Sequence, residues 1–476
     1  MKRFALLLVI LFSTSFVMAA GRKPNIVFIL ADDLGWGDLG CYGNARVKTP
    51  NLDGLAKGGT LFTQFYSNGS VCSPSRVAFM TSHFPARQGV HGHFWTHEQN
   101  KKRGMPDWLN PKVPTVTSLL KSGGYATAHY GKWHLGNGDD APAPTEYGID
   151  DARTMNSKKP DWEWEDTFIA GCSALFVDEA LRFVRANRDK PFYVNLWLLA
   201  PHAPLFPTEE QMSPYNHLSS GKGAKHKAAA TVYYSIVADL DAQVGRLLKE
   251  LETLGLAETT LILFSSDNGP EDIYLPEAGH SGVGSSGPFR GRKRSLYEGG
   301  VRMPFIARWP GHIPAGRVDK TSVLAAVDFL PTLGKIAGVP LPGDAMLDGE
   351  DVSDILLGQS RPRKLPLFWE WRFAIFGGPL NSSPILAVRE GDWKLLLNPD
   401  RSRVELYDIV RDGSELDNAA KEHPEIVERL AKKALDWQAT LPKGPMDESA
   451  GKVDYLWPMG PKDAPKQNRK AKTNKS

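Results

Sequence analysis

Three largely apolar stretches of this 476-residue chain end in polar side chains. They read PNIVFILADD, PFYVNLWLLAPH and TLILFSSDNG, and they predict strands over residues 26–30, 192–199 and 261–265. The continuous run over residues 26–30, unlike an alternating one, is typical of a parallel strand that is buried on both faces. The three runs therefore predict an α/β fold with a large, mostly parallel central sheet flanked by helices. Ligands of such sheets bind beyond the carboxyl ends of the strands.

Helical patterns separate these strands. Apolar residues recur every three or four positions over 229–254, which predicts an amphipathic helix that ends at Gly255. The run DEALRFVRANR predicts a second helix before the strand at residue 192.

The pattern changes after about residue 340. The segment PILAVREGDWKLLLNPDRSRVELYDI predicts an antiparallel meander with turns at 390–392 and 398–400, and HPEIVERLAKKALDWQATL predicts a late helix. We expect a catalytic domain over 21–344 and a smaller α+β domain over 345–445. The basic tail over 446–476 has too few apolar residues to fold and is expected to be disordered.

The N-terminus has the pattern of an export signal. Lys2 and Arg3 precede an apolar run over 4–16, and the small residues of VMAA follow. Because the run is short for a membrane span, we expect residues 1–20 to be a cleaved signal peptide, with an uncleaved anchor as the alternative. The expected signal peptide predicts a periplasmic or extracellular protein, and no later segment is apolar enough for a membrane span. The net charge of +3 gives no reason to expect a nucleic-acid partner.

Hard oxygen donors follow two of the predicted strands. Asp32 and Asp33 end the first strand, and Asp267 and Asn268 end the third. Carboxylates that crowd together repel one another unless a cation lies between them, and oxygen donors favour Ca²⁺ or Mg²⁺. The alternative for either pair alone is a helix cap or a turn.

Cationic side chains occur in the polar loops of the chain: Arg76, Lys132, His134, His202 and Lys293. In YGKWHLG an extended backbone would point Lys132 and His134 in the same direction. Each residue alone is compatible with an ordinary surface charge. Together they indicate a site for an anionic substrate, where a metal and several cations neutralise charge on the transferred group and the leaving oxygen.

The three cysteines are an odd set for an exported chain. Cys41 and Cys172 can form at most one disulfide, and two free buried thiols are the alternative. Cys72 stands in VCSPSR, and a thiolate nucleophile there would need a base. Three histidines follow soon enough to supply it: His83, His91 and His93. A soft thiolate is nevertheless a poor match for a hard cation site.

The segment CSPSR resembles the C-x-P-x-R signature of the type I sulfatases, whose cysteine is oxidised after translation to formylglycine. PNIVFILADDLGWGDLGCYGN, GYATAHYGKWHLG, SSDNG and YEGGVR are similar to further blocks of that family, and the likeness spans most of residues 24–335. Within the family the chain resembles arylsulfatase A-like and N-acetylgalactosamine-6-sulfatase-like members. The resemblance implies an alkaline-phosphatase-like core and a C-terminal domain with a four-stranded antiparallel sheet.

The same resemblance implies how the cation is held. Cys72 would become formylglycine through a separate maturation enzyme and would then be hydrated to a diol. The residue at position 72 would join Asp32, Asp33, Asp267 and Asn268 around one Ca²⁺. The cysteine would thus be a precursor, which removes the mismatch between thiolate and Ca²⁺.

The resemblance also implies roles for the cationic residues. Arg76 would steady the diol, and Lys132 and Lys293 would bind sulfate oxygens. His202 would protonate the leaving alcohol. His134 would take the proton of the second hydroxyl, whose loss expels sulfate and restores the aldehyde.

The substrate is less constrained. Loop residues that can line sugar subsites, with local packing as the alternative, are Trp95, Trp108, Trp162, Trp164, Trp369, Trp371 and Arg372. A further donor found in some family members does not align, and Ser157 and Thr167 are candidates for it. The sequence favours a secreted sulfatase acting on a sulfated saccharide or aryl sulfate, with N-acetylgalactosamine 6-sulfate or a related galactose sulfate as the expected type.

Two alternatives stay open. Sulfate and phosphate are both tetrahedral anions, so a phosphate or phosphonate ester hydrolase of the same superfold also fits the motifs. A non-catalytic protein that binds sulfated glycans would also keep the aromatic loops.

Overall fold

The computed structural model describes residues 23–136, 138–155, 166–219, 228–343 and 345–452. The expected signal peptide lies outside these residues. The strands are β1 (Asn25–Ala31), β2 (Thr60–Tyr66), β3 (Ala126–Lys132), β4 (Asp151–Met155), β5 (Phe192–Trp197), β6 (Thr260–Ser266), β7 (Arg302–Arg308), β8 (Arg317–Asp319), β9 (Leu324–Ala325), β10 (Leu367–Glu370), β11 (Leu386–Glu390), β12 (Trp393–Leu397) and β13 (Val404–Asp408).

Helices connect most of these strands. The α-helices are α1 (Pro50–Lys57), α2 (Cys72–Thr81), α3 (His97–Lys102), α4 (Val116–Ser122), α5 (Asp166–Asn187), α6 (Glu209–Met212), α7 (Ala229–Thr253), α8 (Glu298–Val301), α9 (Phe329–Ala337), α10 (Ser353–Leu356) and α11 (Pro424–Ala439). Short 3-10 helices span Gly40–Tyr42, Pro85–Gln88, Pro144–Tyr147, Ser213–Leu218, Ala257–Thr259, Pro276–Val283, Ala326–Asp328 and Pro379–Asn381.

The large sheet has the strand order β4-β3-β5-β1-β6-β7-β2-β8, and β9 pairs with β2. β1 lies near its centre and is parallel to both β5 and β6. β7 is antiparallel to its neighbours β6 and β2. The sheet is therefore mostly parallel, which confirms the fold class that the apolar runs predict.

Both faces of β1 are buried, which explains its unbroken apolar sequence. Ile26, Phe28 and Leu30 pack in one core cluster with side chains of α2, α4 and α9. Val27 and Ile29 pack in the other cluster with side chains of α1, α5 and α7. A strand between two helical layers has no polar face, and its first hydrophilic residues mark the edge of the sheet.

The C-terminal sheet is antiparallel, in the order β10-β11-β12-β13, and α11 packs on it. A buried ion cluster joins this sheet to α8. Lys394 Nζ lies 2.9 Å from Glu298 Oε1 and 3.0 Å from Glu415 Oε1. Trp369 Nε1 donates a hydrogen bond to the carbonyl of Ser67 over 2.7 Å. The smaller sheet therefore supports the segment that leads into α2.

Some boundaries differ from the predictions. The helix expected over 178–188 starts earlier, at Asp166, and the strand expected to reach residue 199 ends at Trp197. All three cysteines are unpaired, so Cys41 and Cys172 are free thiols and form no disulfide. No helix in the described ranges is both long enough and apolar enough to span a membrane.

The expected tail is described as far as residue 452. The backbone NH of Asp447 donates to the carbonyl of Arg372 over 2.9 Å, so this part of the tail contacts the segment that follows β10. Residues 453–476 lie outside the described residues.

Candidate active site

The acidic pairs meet at the carboxyl ends of β1 and β6, whose last residues are register partners. The backbone NH of Asp33 donates to Asp267 Oδ1 over 3.2 Å. Asn268 Nδ2 donates to Asp33 Oδ1 over 2.7 Å. These residues and Asp32 are each at most 1% exposed. The structure thus brings the four predicted oxygen donors into one buried cluster.

Cys72 is the first residue of α2 and is 4% exposed. Arg76, one turn further along the helix, ties α2 to the oxygen cluster. Its Nη2 lies 2.8 Å from Asp267 Oδ2 and 3.3 Å from Asp32 Oδ2. Burial disfavours the charge of Arg76, but the two carboxylates outweigh burial and raise its pKa. The sequence spacing of Cys72 and Arg76 therefore places the cysteine at the end of α2 that meets the acids.

Two buried lysines contact the same carboxylates. Lys132, the last residue of β3, forms an ion pair with Asp32. Lys293 Nζ lies 2.7 Å from Asp33 Oδ2 and 3.6 Å from Glu271 Oε2. Burial disfavours the charge of Lys293, but both acids outweigh burial and raise its pKa. Lys293 is therefore a cation held at the edge of the cluster.

His202 lies beyond the end of β5 and is the most exposed of the five cationic candidates, with 29% of its side chain accessible. Its Nδ1 donates to the carbonyl of Ala203 over 2.5 Å, and its Nε2 lies 3.8 Å from Asp33 Oδ2. Burial and the charge of Lys132 lower the pKa of His202 to about 4. Potential ligand atoms of Asp32, Asp33 and His202 lie within 4.8 Å of one another.

His134 does not continue an extended segment, because β3 ends at Lys132 and the φ of His134 is +53°. The prediction that Lys132 and His134 point in the same direction assumes an extended backbone, and the backbone at His134 is not extended. His134 Nε2 lies 3.1 Å from the carbonyl oxygen of Phe94. A carbonyl can only accept, so Nε2 carries the proton. Burial, with the nearby charges of Lys132 and Arg76, lowers the pKa of His134 well below its usual value. The ring is therefore neutral, with its lone pair at Nδ1.

The oxygen cluster fits a hard cation. Asp32 Oδ1 and Asn268 Oδ1 are buried and have no hydrogen-bond partner in the part of the chain that the structure describes. An unsatisfied buried oxygen is costly, and a divalent cation can satisfy several at once. Burial and the charge of Asp32 raise the pKa of Asp267 well above its usual value. A cation at this point would oppose that shift, and the carboxylate and amide donors suit Ca²⁺ or Mg²⁺.

The three histidines that follow Cys72 occupy different places. His83 Nδ1 lies 2.8 Å from Gln88 Nε2. His91 Nδ1 lies 3.0 Å from Glu370 Oε2 of the C-terminal sheet. The ring centroid of His93 lies 6.3 Å from that of His134, which places His93 beside the site.

Most of the loop candidates for sugar contacts pack locally. Three of them are buried: Trp369, Trp371 and Arg372. Trp108 is half-buried and forms an isolated bridge with Gly136. Trp95 is 51% exposed, and its ring centroid lies 5.8 Å from that of His93. The remaining candidates lie outside the described residues: Ser157, Trp162, Trp164 and the side chain of Thr167.

Two residues of the site are absent from the sequence-based candidates. Glu271 is 7% exposed, and Arg294 Nη1 lies 2.5 Å from its Oε1. Glu271 thus lies between the side chains of Lys293 and Arg294. Their positions in the sequence could have indicated them, because Glu271 follows Asn268 closely and Arg294 follows Lys293 directly.

A family model described as Sulfatase matches residues 24–339, and a model described as N-sulphoglucosamine sulphohydrolase, C-terminal, matches residues 287–440. The chain is 34% identical to the N-acetylgalactosamine-6-sulfatase of Rattus norvegicus over 387 residues, covering 74% of this chain and 70% of that protein. It is 33% identical to the arylsulfatase A of Homo sapiens over 419 residues, covering 79% and 75%. The crystal structure of Ps i-CgsB in complex with k-i-k-neocarrahexaose matches with a TM-score of 0.74 and 26% identity, covering 90% of this chain and 96% of that chain.

The region matched by the Sulfatase model contains both acidic pairs, the helix that begins at Cys72 and every cationic candidate. Because the match covers most of the chain and the two sulfatase relatives align over about three quarters of it, the chain belongs to the sulfatase family and is a sulfuric ester hydrolase.

Proposed function

We propose that this sulfatase is an exported enzyme that removes sulfate from a sulfated carbohydrate, using formylglycine made from Cys72 and one Ca²⁺. The observation that supports this proposal best is the link between α2 and the oxygen cluster. Arg76, one turn after Cys72, lies 2.8 Å from Asp267 Oδ2. A nucleophile at position 72 would therefore lie close to the cation and to the cationic side chains that hold an anionic substrate.

The groups that the chain would carry fit its residues. Asp32, Asp33, Asp267 and Asn268 would hold Ca²⁺ together with the modified residue 72. Bound there, Ca²⁺ supplies positive charge for sulfate oxygens and for an ionised hydroxyl. Formylglycine, as its hydrate, supplies two hydroxyls on one carbon, one to attack sulfur and one to release sulfate.

The side chains of this protein would then bind the substrate and move protons. Lys132 and Lys293 lie at the rim of the acid cluster, where they can hold sulfate oxygens and neutralise charge in the transition state. The Nε2 of His202 is directed toward the cluster and is placed to protonate the leaving alcohol. An anionic substrate favours the protonated ring of His202, because the negative charge of the substrate opposes the effect of Lys132 on the pKa of that ring. His134 offers the lone pair of Nδ1 as a base, because its Nε2 proton is bound to Phe94.

The relatives support the substrate class. One of them is named N-acetylgalactosamine-6-sulfatase, and the matching crystal structure holds a neocarrahexaose. N-acetylgalactosamine 6-sulfate or a related galactose sulfate is therefore the proposed type of substrate. The proposal includes a cleaved signal peptide over 1–20, a periplasmic or extracellular location, a maturation enzyme that oxidises Cys72, and the domain division at residues 344 and 345.

The experiment compares turnover of 4-nitrophenyl sulfate and 4-nitrophenyl phosphate by protein whose residue 72 has been analysed by peptide mass spectrometry. We expect the mass of an aldehyde, in which oxygen replaces sulfur and two hydrogens are lost, and a strong preference for the sulfate ester. A preference for the phosphate ester would favour the phosphatase alternative. Binding of sulfated sugars without any turnover by the aldehyde form would favour the glycan-binding alternative.

A further inference from the structure

Arg103 lies between two aromatic rings beside the candidate active site. Its guanidinium carbon is 5.5 Å from the ring centroid of Trp95 and 5.5 Å from that of Phe373. Trp95 belongs to the catalytic domain, whereas Phe373 belongs to the C-terminal domain and is half-buried. The two rings hold a planar cation in one orientation while the guanidinium stays partly exposed.

Arg103 has N–H donors that no described residue accepts, and these donors can bind an anion. Its Nη1 donates to the carbonyl of His93 over 3.2 Å. No other acceptor of the described residues, and no carboxylate among them, bonds to this guanidinium. Burial lowers the pKa of Arg103, and Asp447 opposes this shift through its charge without forming an ion pair with Arg103. By contrast, the buried guanidinium of Arg76 forms ion pairs with two acids of the cluster. An unpaired arginine between aromatic rings is suited to binding an anion from outside the chain.

The segment of His93 and Phe94, held by hydrogen bonds, connects Arg103 to the candidate active site. The backbone NH of Phe94 donates to Ser73 Oγ over 3.1 Å, directly after the cysteine at the start of α2. The carbonyl of Phe94 accepts from His134 Nε2. His93 precedes Phe94, and its carbonyl holds Arg103. The guanidinium is thus attached, through adjacent residues, to the side chains that carry out the proposed chemistry.

Several cationic or titratable side chains act on the ring of His93 in this segment. Burial lowers the pKa of His93 to about 2. Four cationic or titratable groups add to the effect: His134, Arg103 and the adjacent Lys293 and Arg294. Two of these groups are close to His93: the ring centroid of His134 lies 6.3 Å from that of His93, and Arg103 donates to the His93 carbonyl over 3.2 Å. Lys293 and Arg294 are already paired with Glu271, so Arg103, which has no carboxylate partner among the described residues, is the cation near His93 that is available to a second anion.

We propose that Arg103, held by Trp95 and Phe373, binds a second anionic group of the substrate, either a carboxylate or a sulfate, on the sugar that carries the scissile ester or on its neighbour. The inference rests on the proposed function and narrows the class of substrate. The preferred substrate is an acidic oligosaccharide or a disulfated sugar. A guanidinium recognises either anion through two parallel N–H donors, and the exposed ring of Trp95 can stack on the apolar face of the same sugar.

The test compares kcat/KM for two pairs of substrates that differ only in the second anion. N-acetylgalactosamine 4,6-disulfate is compared with the 6-sulfate, which reports on a sulfate ligand. Glucuronyl-N-acetylgalactosamine 6-sulfate is compared with its uronate methyl ester, which reports on a carboxylate ligand. We expect the wild type to prefer the dianionic member of at least one pair. In Arg103→Met that preference should fall by about 10- to 100-fold, the range for a hydrogen bond between charged groups.

Arg103→Lys keeps the charge but not the planar fork, so it should retain part of the preference. Arg411→Met removes an arginine whose side chain is 88% exposed and serves as the control. Thermal unfolding of each variant checks the fold. A wild type that turns over 4-nitrophenyl sulfate but prefers neither dianion overturns the inference, as does a preference that survives in folded Arg103→Met. A wild type with the aldehyde at residue 72 that does not turn over 4-nitrophenyl sulfate overturns the proposed function instead.

Discussion

His134 donates a hydrogen bond from Nε2 to the carbonyl oxygen of Phe94, 3.1 Å away. The backbone NH of Phe94 in turn donates to Ser73 Oγ over 3.1 Å. The first bond determines the tautomer of the imidazole, because a carbonyl cannot donate. The lone pair is therefore at Nδ1, which is buried and has no partner among the described residues. Proton transfer by His134 must use Nδ1.

Replacing His134 by glutamine separates its positioning contact from its basicity. The glutamine amide can still donate to Phe94, but it cannot accept a proton at neutral pH. We expect His134→Gln to lower kcat for 4-nitrophenyl sulfate by about 10²- to 10⁴-fold, the usual contribution of a general base, with little change in Tm. His312→Gln replaces an exposed histidine and is the control. Retention of most turnover by His134→Gln would remove His134 from the proposed mechanism.

Serine at position 72 tests the proposed precursor role of the cysteine. Cys72 is 4% exposed, and serine is close to it in size, so Cys72→Ser should fold. In a host that oxidises only cysteine, the serine stays unmodified. We expect nearly all turnover of 4-nitrophenyl sulfate to be lost, with the Tm close to that of the wild type. Cys172→Ser, at a buried free thiol in α5, should keep its turnover. Full activity of Cys72→Ser would exclude a catalytic formylglycine.

Removal of Ca²⁺ tests the oxygen cluster. Chelation should abolish turnover and lower the Tm, because buried oxygens and crowded carboxylates then lose the cation that stabilises the folded state. A ligand at 100 times its Kd adds about 2.7 kcal/mol to the free energy of unfolding. In Asp267→Asn the Ca²⁺-dependent rise in Tm should shrink. Asp436→Asn, at a side chain that is 65% exposed, should respond like the wild type. A Tm that responds to neither chelator nor Ca²⁺ would contradict the proposed site.

The sheet and the oxygen cluster could be predicted because both depend on local sequence. β1 is apolar throughout since both of its faces are buried, and Asp32 and Asp33 mark the point where it leaves the core. The same logic applies to β6 and to Asp267 and Asn268. Parallel neighbours place their carboxyl ends together, so four positions in two segments predict one cluster.

Other parts of the site depend on contacts that the sequence does not reveal. Phe94 orients His134 through its backbone carbonyl, a group that every residue carries. Trp369 and Trp95 are both loop or edge tryptophans in the sequence, yet the first is 1% exposed and the second 51% exposed. Trp369 is covered because the C-terminal sheet packs against the segment that leads into α2. Arg103 gains its aromatic partner Phe373 from the same packing.

Replacing Lys394 tests how much the packing of the C-terminal sheet contributes to stability, because Lys394 is fully buried between Glu298 and Glu415. Lys394→Met removes the cation and leaves two buried carboxyls without it. We expect the free energy of unfolding in urea to fall by about 3–5 kcal/mol, as for other buried pairs that lose one partner.

Lys432→Met is the matched control, because the side chains of Lys432 and its partner Asp436 are 75% and 65% exposed. An exposed pair of this kind should change the free energy of unfolding by less than about 1 kcal/mol. Equal losses for Lys394→Met and Lys432→Met would show that the buried cluster contributes no more to stability than an exposed ion pair.

The two acids of this cluster give the protein a pH dependence of stability. Burial raises the pKa of Glu415 from 4.5 to about 7. Burial acts in the same direction on Glu298, but Lys394 and Arg302 outweigh it and lower the pKa of Glu298 to about 2. Between pH 4.5 and 7, folded Glu415 holds a proton that the unfolded chain has lost. Its contribution to stability therefore falls as the pH rises through this window, by at most about 1.4 kcal/mol per pH unit.

Glu415→Gln removes this titration while keeping an uncharged side chain of the same shape. The decline in the free energy of unfolding between pH 4.5 and 7 should therefore be shallower in Glu415→Gln than in the wild type, as measured by urea unfolding at several pH values. Glu298 does not affect the comparison, because its stabilising charge is lost only as the pH falls from 4.5 toward 2. Glu428→Gln, at an exposed ion pair with Arg401, is the control and should follow the wild-type profile. Parallel profiles for the wild type and Glu415→Gln would show that Glu415 is ionised across the whole window, and that Lys394 stabilises both carboxylates in the folded protein.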